Sequence, residues 1–528
     1  MPTSAGAFLK QTEPTQAERF QSLWRQAEAH ASRKEWPAAA ACFQSLLAMH
    51  PGDAKVLVQL SYIESLAGHY RMARDYALRA HASGPRDADT LKELIARLRT
   101  FNETAALNQC IDRLQPISAV SLPLLIAFAA QLSNLNEQAR ALVLLDEAKR
   151  GDPGYPPVLL ARGQVLTYLG RFDEARAELL QCLRRAPEIA PTYWWLSRLG
   201  KQTADSNHVD AIRRQLERPG RKPEDIAFLG YALHKSLDDL GDHPAAWRAL
   251  EQACRAKRSR LDYRSEQSVE LVDRLIALPT APASARVEGG PTPIFIVGMH
   301  RSGTTLLEQM LDGHQDVRGL GELYDFTSQM RLATDYHCRG VIDATLVDRA
   351  RGLPLAAAGR GYLDGVDWRL GRERFFTDKL PSNFLNLGFI CQALPQAKIL
   401  HMVRDPMETC FSNLRELFSD ACPYSYDQAE LAAYHRQYRR LMDHWRQRYP
   451  GRILDVDYAA LTTDPESTMA GVASFCGLDY QAGMLEPQRR ERGVSTASAI
   501  QVRGQVRALE VPKWKPYEPF LQPLAAAL

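Results

Sequence analysis

Apolar residues follow two different patterns along the chain. From residue 16 to about residue 270 they recur at helical spacing, with almost no runs of β-branched residues, which predicts a succession of helices. Beyond residue 293 short apolar runs alternate with helical patterns, and these runs are "IFIVG" (294–298), "RFFTDK" (374–379), "AKILHMV" (397–403) and "RILDVDY" (452–458). Strands that are separated by helices predict a parallel α/β sheet.

A segment rich in Ala, Pro and Gly, "IALPTAPASARVEGGPTP" (276–293), lies between the two patterns and is predicted to be a linker. The chain has 528 residues, enough for two or more domains. We therefore expect a helical domain over residues 1–275 and an α/β domain over residues 294–528.

The helical part contains a repeat. Four prolines that close helical segments are 34, 68 and 34 residues apart: Pro51, Pro85, Pro153 and Pro187. "GHYRMA" (68–73) also matches "GRFDEA" (170–175) at a distance of three periods. This period resembles the tetratricopeptide repeat, whose unit is a pair of helices. The resemblance implies an α-solenoid with a concave surface that binds a protein or peptide, acceptor or partner, although such arrays also serve as plain scaffolds.

Composition narrows the class of protein. The net charge is +3, from 65 basic and 62 acidic residues, so no overall field favours nucleic acid or a membrane surface. No apolar run reaches transmembrane length, and "MPTSAGAFLKQTEPTQ" lacks the features of a signal peptide. The nine cysteines are scattered, without a CxxC pair or metal-ligand spacing. We expect reduced thiols, no metal, and a cytoplasmic protein.

The run "IFIVGMHRSGTTLLEQML" (294–311) has the order strand, glycine-bounded loop, helix. Gly298 and Gly303 have the spacing of a phosphate-binding P-loop, and Thr305 occupies its Ser/Thr position. Backbone amides of the loop and the dipole of the helix would hold an anion, and Arg301 would add a full positive charge. Thr304 stands at the lysine position, which argues against hydrolysis of ATP or GTP.

At these residues the second half resembles the sulfotransferases. "VGMHRSGTTLLEQMLDGHQDVRGLGEL" (297–323) resembles their 5′-phosphosulfate loop, closest to the tyrosylprotein and tetratricopeptide-linked branch. "ILHMVRDPMETCFSN" (399–413) resembles their 3′-phosphate motif, and the whole resemblance extends over about 294–518. It implies a P-loop-like α/β fold, the donor 3′-phosphoadenosine 5′-phosphosulfate (PAPS), the product 3′-phosphoadenosine 5′-phosphate (PAP), and no metal.

The resemblance also implies catalytic residues. Glu322 in "GLGEL" has the position of the family's general base, and Lys379 in "TDKLPSN" that of a lysine that donates to the bridging oxygen. Ser498 in the C-terminal segment is the serine expected near the transferred sulfate. Tyr324 stands where the tyrosylprotein branch has an Arg, which weakens the expectation of tyrosine-peptide recognition.

Residues implied to bind the donor fall into three groups, at the phosphosulfate loop, at the 3′-phosphate and near the adenine or C-terminal segment: Arg301, Ser302, Gly303, Thr304 and Thr305; Arg404 and Ser412; Tyr458 and Arg503. The chain departs from the family pattern at two places. Glu416 replaces a further Arg, for which Arg415 is a possible substitute, and His300 replaces a proline.

Two other classes of function compete with a sulfotransferase. The array could be the working part of an interaction protein whose second domain is inactive, but Glu322, Lys379, Arg404 and Ser412 are all present. A P-loop nucleotide kinase is disfavoured by Thr304. The sequence leaves the acceptor open among protein tyrosine, glycan and hydroxylated metabolite.

Overall fold

The computed structural model describes residues 15–279, 284–285, 290–486 and 511–528. The chain forms two compact units. One unit extends to Leu114 and includes residues 335–337, and the other contains residues 115–334 and 338–528.

The described part of the first unit is built on helices that pack in consecutive pairs. Their bounds are α1 Gln16–Ser32, α2 Trp36–Met49, α3 Ala54–Ala67, α4 Tyr70–Ala82, α5 Ala88–Thr100 and α6 Thr104–Asp112.

The second unit begins with further helices, and there α7 packs on α8, α9 on α10 and α13 on α14. The bounds are α7 Leu122–Asn134, α8 Gln138–Gly151, α9 Pro156–Leu169, α10 Phe172–Arg185, α11 Ala190–Arg198, α12 Val209–Leu216, α13 Pro223–Asp239, α14 His243–Arg258 and α15 Ser265–Ile276.

The period of 34 residues appears in the helix boundaries. Trp36, Tyr70 and Phe172 are each the first residue of a helix, one or three periods apart. Gly68 and Gly170 end the preceding helices in the left-handed conformation, with φ of 90° and 79°. The alanines three residues into each second helix have no exposed surface, so the paired helices approach closely there: Ala39, Ala73 and Ala175. The predicted repeat of helix pairs is confirmed.

A five-stranded sheet follows, with the strand order β2-β3-β1-β4-β5 and every neighbouring pair parallel. The strands are β1 Thr292–Gly298, β2 Val317–Gly319, β3 Phe375–Asp378, β4 Lys398–Val403 and β5 Ile453–Asp457. Four of them are the predicted apolar runs, whereas β2 was not predicted because three residues are too few for a periodic pattern. The predicted fold class, a helical array followed by a parallel α/β domain, is confirmed.

The remaining helices lie between the strands along the chain or follow the last strand. They are α16 Thr304–Leu311, α17 Asp325–Thr334, α18 Ala344–Ala350, α19 Ala356–Val366, α20 Leu387–Ala393, α21 Pro406–Leu414, α22 Gln428–Arg448, α23 Tyr458–Thr463, α24 Pro465–Cys476 and α25 Gln522–Ala525.

Strand β1 is buried on both of its faces, as expected for the centre of a parallel sheet. Ile294 and Ile296 belong to a core cluster with residues of α16 and α24. Phe295 points to the other face, where its ring stacks on Tyr362 of α19 at 5.5 Å between centroids. Strand β1 is thereby packed on both faces, and the candidate site begins at its carboxyl end.

Helices α7–α15 and the sheet lie in the same compact unit. Tyr231 of α13 donates from its hydroxyl to the carbonyl oxygen of Leu414 at 3.0 Å, and Arg258 forms an ion pair with Glu430 at 2.8 Å. The division of the chain at 276–293 stays a prediction. In the part of the chain that the structure describes, no helix is both long and apolar enough to span a membrane; cytoplasmic location also stays a prediction.

Candidate active site

The loop between β1 and α16 has the geometry of an anion site. Residues 299–303 connect Gly298, the last residue of β1, with Thr304, the first of α16. Gly303 has a φ of 113°, and a Cβ added to it would lie 2.4 Å from a ring carbon of Tyr458, so only glycine suits this position. The first amide groups of a helix have no acceptor within the helix. The loop therefore faces N–H groups and the positive end of a helix dipole.

Arg301 lies in this loop and is held by residues of α21 and of the segment after it. Its backbone adopts the left-handed conformation, with a φ of 67°. Its Nε donates to the Ser412 hydroxyl at 3.2 Å, and its Nη1 lies 3.8 Å from the Glu416 carboxylate. Burial lowers the pKa of Arg301, and the charge of Glu416 opposes this shift. Glu416 thus places a negative charge where the family resemblance led us to expect a positive one.

Arg404 follows β4 and connects the loop with Tyr458. Its Nη1 donates to the carbonyl oxygen of Arg301 at 3.1 Å, and its Nη2 donates to Glu408 at 2.7 Å. The guanidinium lies 4.4 Å from the centroid of the Tyr458 ring, a cation–π distance. The structure therefore brings the predicted binding residues Arg301, Arg404, Ser412 and Tyr458 together.

Lys513 joins this group, and the sequence analysis missed it. Lys513 is exposed, but desolvation by its neighbours lowers its pKa, and the positive charges of Arg415, Arg301 and Arg404 lower it further. Arg415, the possible substitute at the 3′-phosphate site, also donates to Asp238 at 2.7 Å. The signal that could have revealed Lys513 is its position directly before "WKPYEPFL", a segment that belongs to the family resemblance.

The other predicted loop residues are buried. Thr304 and Thr305 are the first two residues of α16, and Ser302 precedes them. Within the described residues, the Ser302 hydroxyl oxygen is buried and has no hydrogen-bond partner. Ser498 and Arg503 lie outside the described residues, and their roles stay predictions.

Glu322 and Lys379 meet at the carboxyl end of the sheet. Lys379 directly follows β3, its side chain has no exposed surface, and its Nζ donates to Glu322 Oε1 at 2.7 Å. The Glu322 side chain is 34% exposed. One end of this pair is therefore locked in the protein interior, while the carboxylate can be reached from outside.

Glu308 of α16 positions the backbone next to Glu322, and the sequence analysis missed this residue too. Its Oε1 accepts from the amide of Gly321 at 2.7 Å and from the hydroxyl of Thr377 at 2.9 Å. In addition the amide of Lys379 donates to the carbonyl oxygen of Gly321 at 2.9 Å. A buried acid in an apolar helix pattern was the available signal, because such an acid needs partners.

His300 lies beside this pair in a neutral state. Burial lowers its pKa to about 4; the charge of Glu322 opposes this effect, whereas Lys379 adds to it. Its Nδ1 lies 3.3 Å from the Tyr424 hydroxyl, and its backbone carbonyl accepts from Asn413 at 2.7 Å. These contacts give His300 a local structural role in holding the loop against Tyr424 and Asn413.

A cleft of about 770 Å³ opens onto Glu322, Arg301, Thr304 and Thr305. Its opposite wall comes from the helical array, namely from α9, α11, α13 and α14. The side chains on this wall include Tyr168, Trp194, Trp195, Arg198 and Phe228. No local pattern in the sequence pointed to them, because they reach the site only through packing of the second unit.

Residues 293–482 match the model of the Sulfotransferase family. The C-terminal half carries a sulfotransferase domain. This match agrees with the resemblance to the sulfotransferases seen in the sequence.

Two curated proteins are similar to this chain over different lengths. An uncharacterized protein of Aquifex aeolicus (strain VF5) is 30% identical over 410 residues, which are 75% of this chain and 53% of that protein. A putative protein-tyrosine sulfotransferase of Caenorhabditis briggsae is 28% identical over 193 residues, 36% of this chain and 68% of that protein. The chain thus spans about half of the length of the Aquifex protein.

Among solved structures, the sulfotransferase domain of the Synechococcus PCC 7002 olefin synthase is 21% identical, with a TM-score of 0.29. The match covers 46% of this chain and 95% of that domain.

Proposed function

We propose that this protein transfers a sulfuryl group from PAPS to an acceptor hydroxyl that binds in the cleft between the sheet and the helical array. The observation that carries the proposal is the Glu322–Lys379 pair beside an anion-binding loop without a lysine. One group of the pair can take a proton, the other can stabilise a negative oxygen, and both are within 2.7 Å of each other.

The residues around the loop fit a donor with two anionic ends. Arg301, Arg404 and Lys513 supply positive charge close together. Helix α16 adds N–H groups, and the buried Ser302 hydroxyl lacks a partner within the described part of the chain. Arg404 and Ser412 are the residues we assign to the 3′-phosphate, and Tyr458 would lie near the adenine.

Bound there, PAPS supplies a sulfuryl group with PAP as the leaving group. The acceptor oxygen forms a bond to sulfur while the bond from sulfur to the phosphate oxygen breaks. Glu322 takes the proton of the acceptor hydroxyl, and Lys379 donates to the oxygen that leaves. We further propose that helices α9, α11 and α13 bind the acceptor, since their side chains form the wall that faces Glu322.

Thermal unfolding of the full chain tests the nucleotide preference. PAP should raise the midpoint clearly, because a ligand present at 100 times its Kd stabilises the folded state by about 2.7 kcal/mol. ATP with magnesium serves as the control and should have a much smaller effect, because Thr304 replaces the lysine of nucleotide hydrolases. Equal or stronger stabilisation by ATP would contradict the proposal. Binding of PAP without any transfer of labelled sulfate would favour an interaction protein with an inactive domain.

A further inference from the structure

The cleft in front of Glu322 has aromatic walls. The rings of Tyr168 and Trp195 meet edge to face, at 5.6 Å between centroids and an angle of 90°, and so form a corner on the side of the array. Phe228 lies on the same side, whereas Tyr324 and Phe418 come from the sheet side. Tyr324 is 43% exposed, although it is a large side chain. Such walls suit a flat ring that stacks on them.

Cationic side chains on the lining of this cleft already face acids. Lys257 forms an ion pair with Asp420 at 2.8 Å. Arg198 lies 3.4 Å from Glu416, and Arg301 lies 3.8 Å from the other oxygen of the same carboxylate. An acidic acceptor would have to compete with these carboxylates for every one of the three cations.

The acids and bases around this cleft balance. Glu322 and Glu224 join the two acids in these pairs, and the three cations of the lining are joined by Lys379, which donates to Glu322 at 2.7 Å. His300 adds no charge near neutral pH, because burial lowers its pKa to about 4. A carboxylate in the cleft would therefore lose its hydration while every cation of the lining is already paired, whereas an uncharged group incurs no such cost.

We propose that the acceptor carries its hydroxyl on an uncharged ring and that the cleft selects against acceptors with carboxylates near that hydroxyl. The inference rests on the proposed function. The shared chemistry is a neutral ring that stacks between the aromatic walls while its hydroxyl reaches Glu322. A phenol and a sugar both meet this description, and the experiment separates them.

Transfer of labelled sulfate from PAPS by the full chain is measured with two matched pairs of acceptors. N-acetyltyrosinamide and N-acetyltyrosine share a phenol and differ by one carboxylate, and a methyl glucoside and the corresponding glucuronide share a sugar ring. The neutral member of at least one pair should show a kcat/KM about tenfold above that of its anionic partner. The pair that is sulfated identifies the kind of ring.

The other possible outcomes contradict either this inference or the proposed function. Equal or faster transfer to the anionic member of a pair overturns the inference, and so does a chain that binds PAP but sulfates none of the four acceptors. A chain that binds neither PAP nor PAPS contradicts the proposed function itself.

A variant tests the charge argument directly. Asp420→Asn frees Lys257 from its acid at a position where the Asp420 side chain is 79% exposed, so the fold should tolerate it. The preference for the neutral acceptor should then shrink several-fold, because Lys257 becomes available to the carboxylate of the anionic acceptor. Asp443→Asn is the matched control, because Asp443 is also exposed and ion-paired but does not line this cleft. Unchanged discrimination in a folded Asp420→Asn protein would show that paired charges do not set the selectivity.

Discussion

The most informative single change is Glu322→Gln, which keeps the size of the side chain and removes its capacity to take a proton. A general base typically contributes 10²–10⁴-fold to the rate. Because each factor of ten corresponds to 1.36 kcal/mol, the barrier should rise by about 2.7–5.4 kcal/mol. The effect should be largest for an alcohol of high pKa and smaller for an acidic phenol, which needs less help in losing its proton.

The same change has a calculable effect on stability. Lys379 is fully buried and donates to Glu322 at 2.7 Å. The amide oxygen of glutamine can still accept this hydrogen bond, but a bond to a charged acceptor is worth about 1.5–3 kcal/mol and a neutral one about 0.5–1.5 kcal/mol. Because Glu322 is 34% exposed, solvent reduces the difference, and we expect a loss of about 1 kcal/mol in the free energy of unfolding.

Three measurements separate these effects: initial rates with labelled PAPS, calorimetric titration with PAP, and thermal unfolding. Turnover should collapse while the affinity for PAP and the fold persist. Glu174→Gln is the matched control, since Glu174 is also ion-paired, with Arg171, but does not line the cleft. Near-normal turnover of a simple alcohol by Glu322→Gln would refute the role of Glu322, and Lys379 would be the next residue to test.

Three other predictions concern the donor site and acid stability. Arg404→Ala should weaken PAP binding by about 1.5–3 kcal/mol in a calorimetric titration, because it removes a charge-assisted contact to the 3′-phosphate. Glu416 lies between Arg198 and Arg301 and so competes with the donor for Arg301. Arg198→Gln should weaken PAP binding several-fold, because Glu416 would then pair with Arg301 alone. Glu416→Gln should strengthen PAP binding, and the double variant should resemble Glu416→Gln. Burial lowers the pKa of His234 to about 4. As the pH falls, His234 is therefore protonated in the unfolded chain before it is protonated in the folded protein. Stability that is present above about pH 6.5 should therefore be lost towards pH 4, by on the order of 2 kcal/mol at pH 5, and denaturant titrations should show a weaker loss in His234→Gln.

Controls make these outcomes decisive. Arg213→Ala removes an exposed arginine that does not line the cleft, and it should leave PAP binding unchanged. Unaltered affinity in Arg404→Ala would disprove the assignment of the 3′-phosphate site. Additive effects of the Arg198 and Glu416 substitutions would mean that the two residues act independently. An acid sensitivity that His234→Gln leaves intact would have to come from other buried groups.

Features that depend on neighbouring residues were readable from the sequence. The helix pairs could be predicted because glycine, an aromatic residue and alanine recur in the same order along the chain, and these residues lie within a few positions of one another. The strand–loop–helix at 294–311 is likewise local, so the anion site and the unusual Thr304 could be recognised together. Strand β2 escaped because its three residues carry too little pattern, and it forms only by pairing with β3.

Contacts between distant residues could not be derived in this way. Glu322 and Lys379 are 57 positions apart, and only a family resemblance suggested that both belong to one site. Glu308 looked like one more residue of a helix until the fold placed Gly321 and Thr377 beside its carboxylate.

The sequence by itself determined a repeat of helix pairs, a parallel sheet and an anion-binding loop, because periodicity and turn chemistry act over a few residues. Only the tertiary structure decided that Trp195 and Arg198, about 100 residues before the loop, face Glu322 across one cleft. It also decided that the Glu416 carboxylate lies between Arg198 and Arg301. Packing of the array against the sheet sets these distances, and such packing depends on many side chains at once rather than on any single motif.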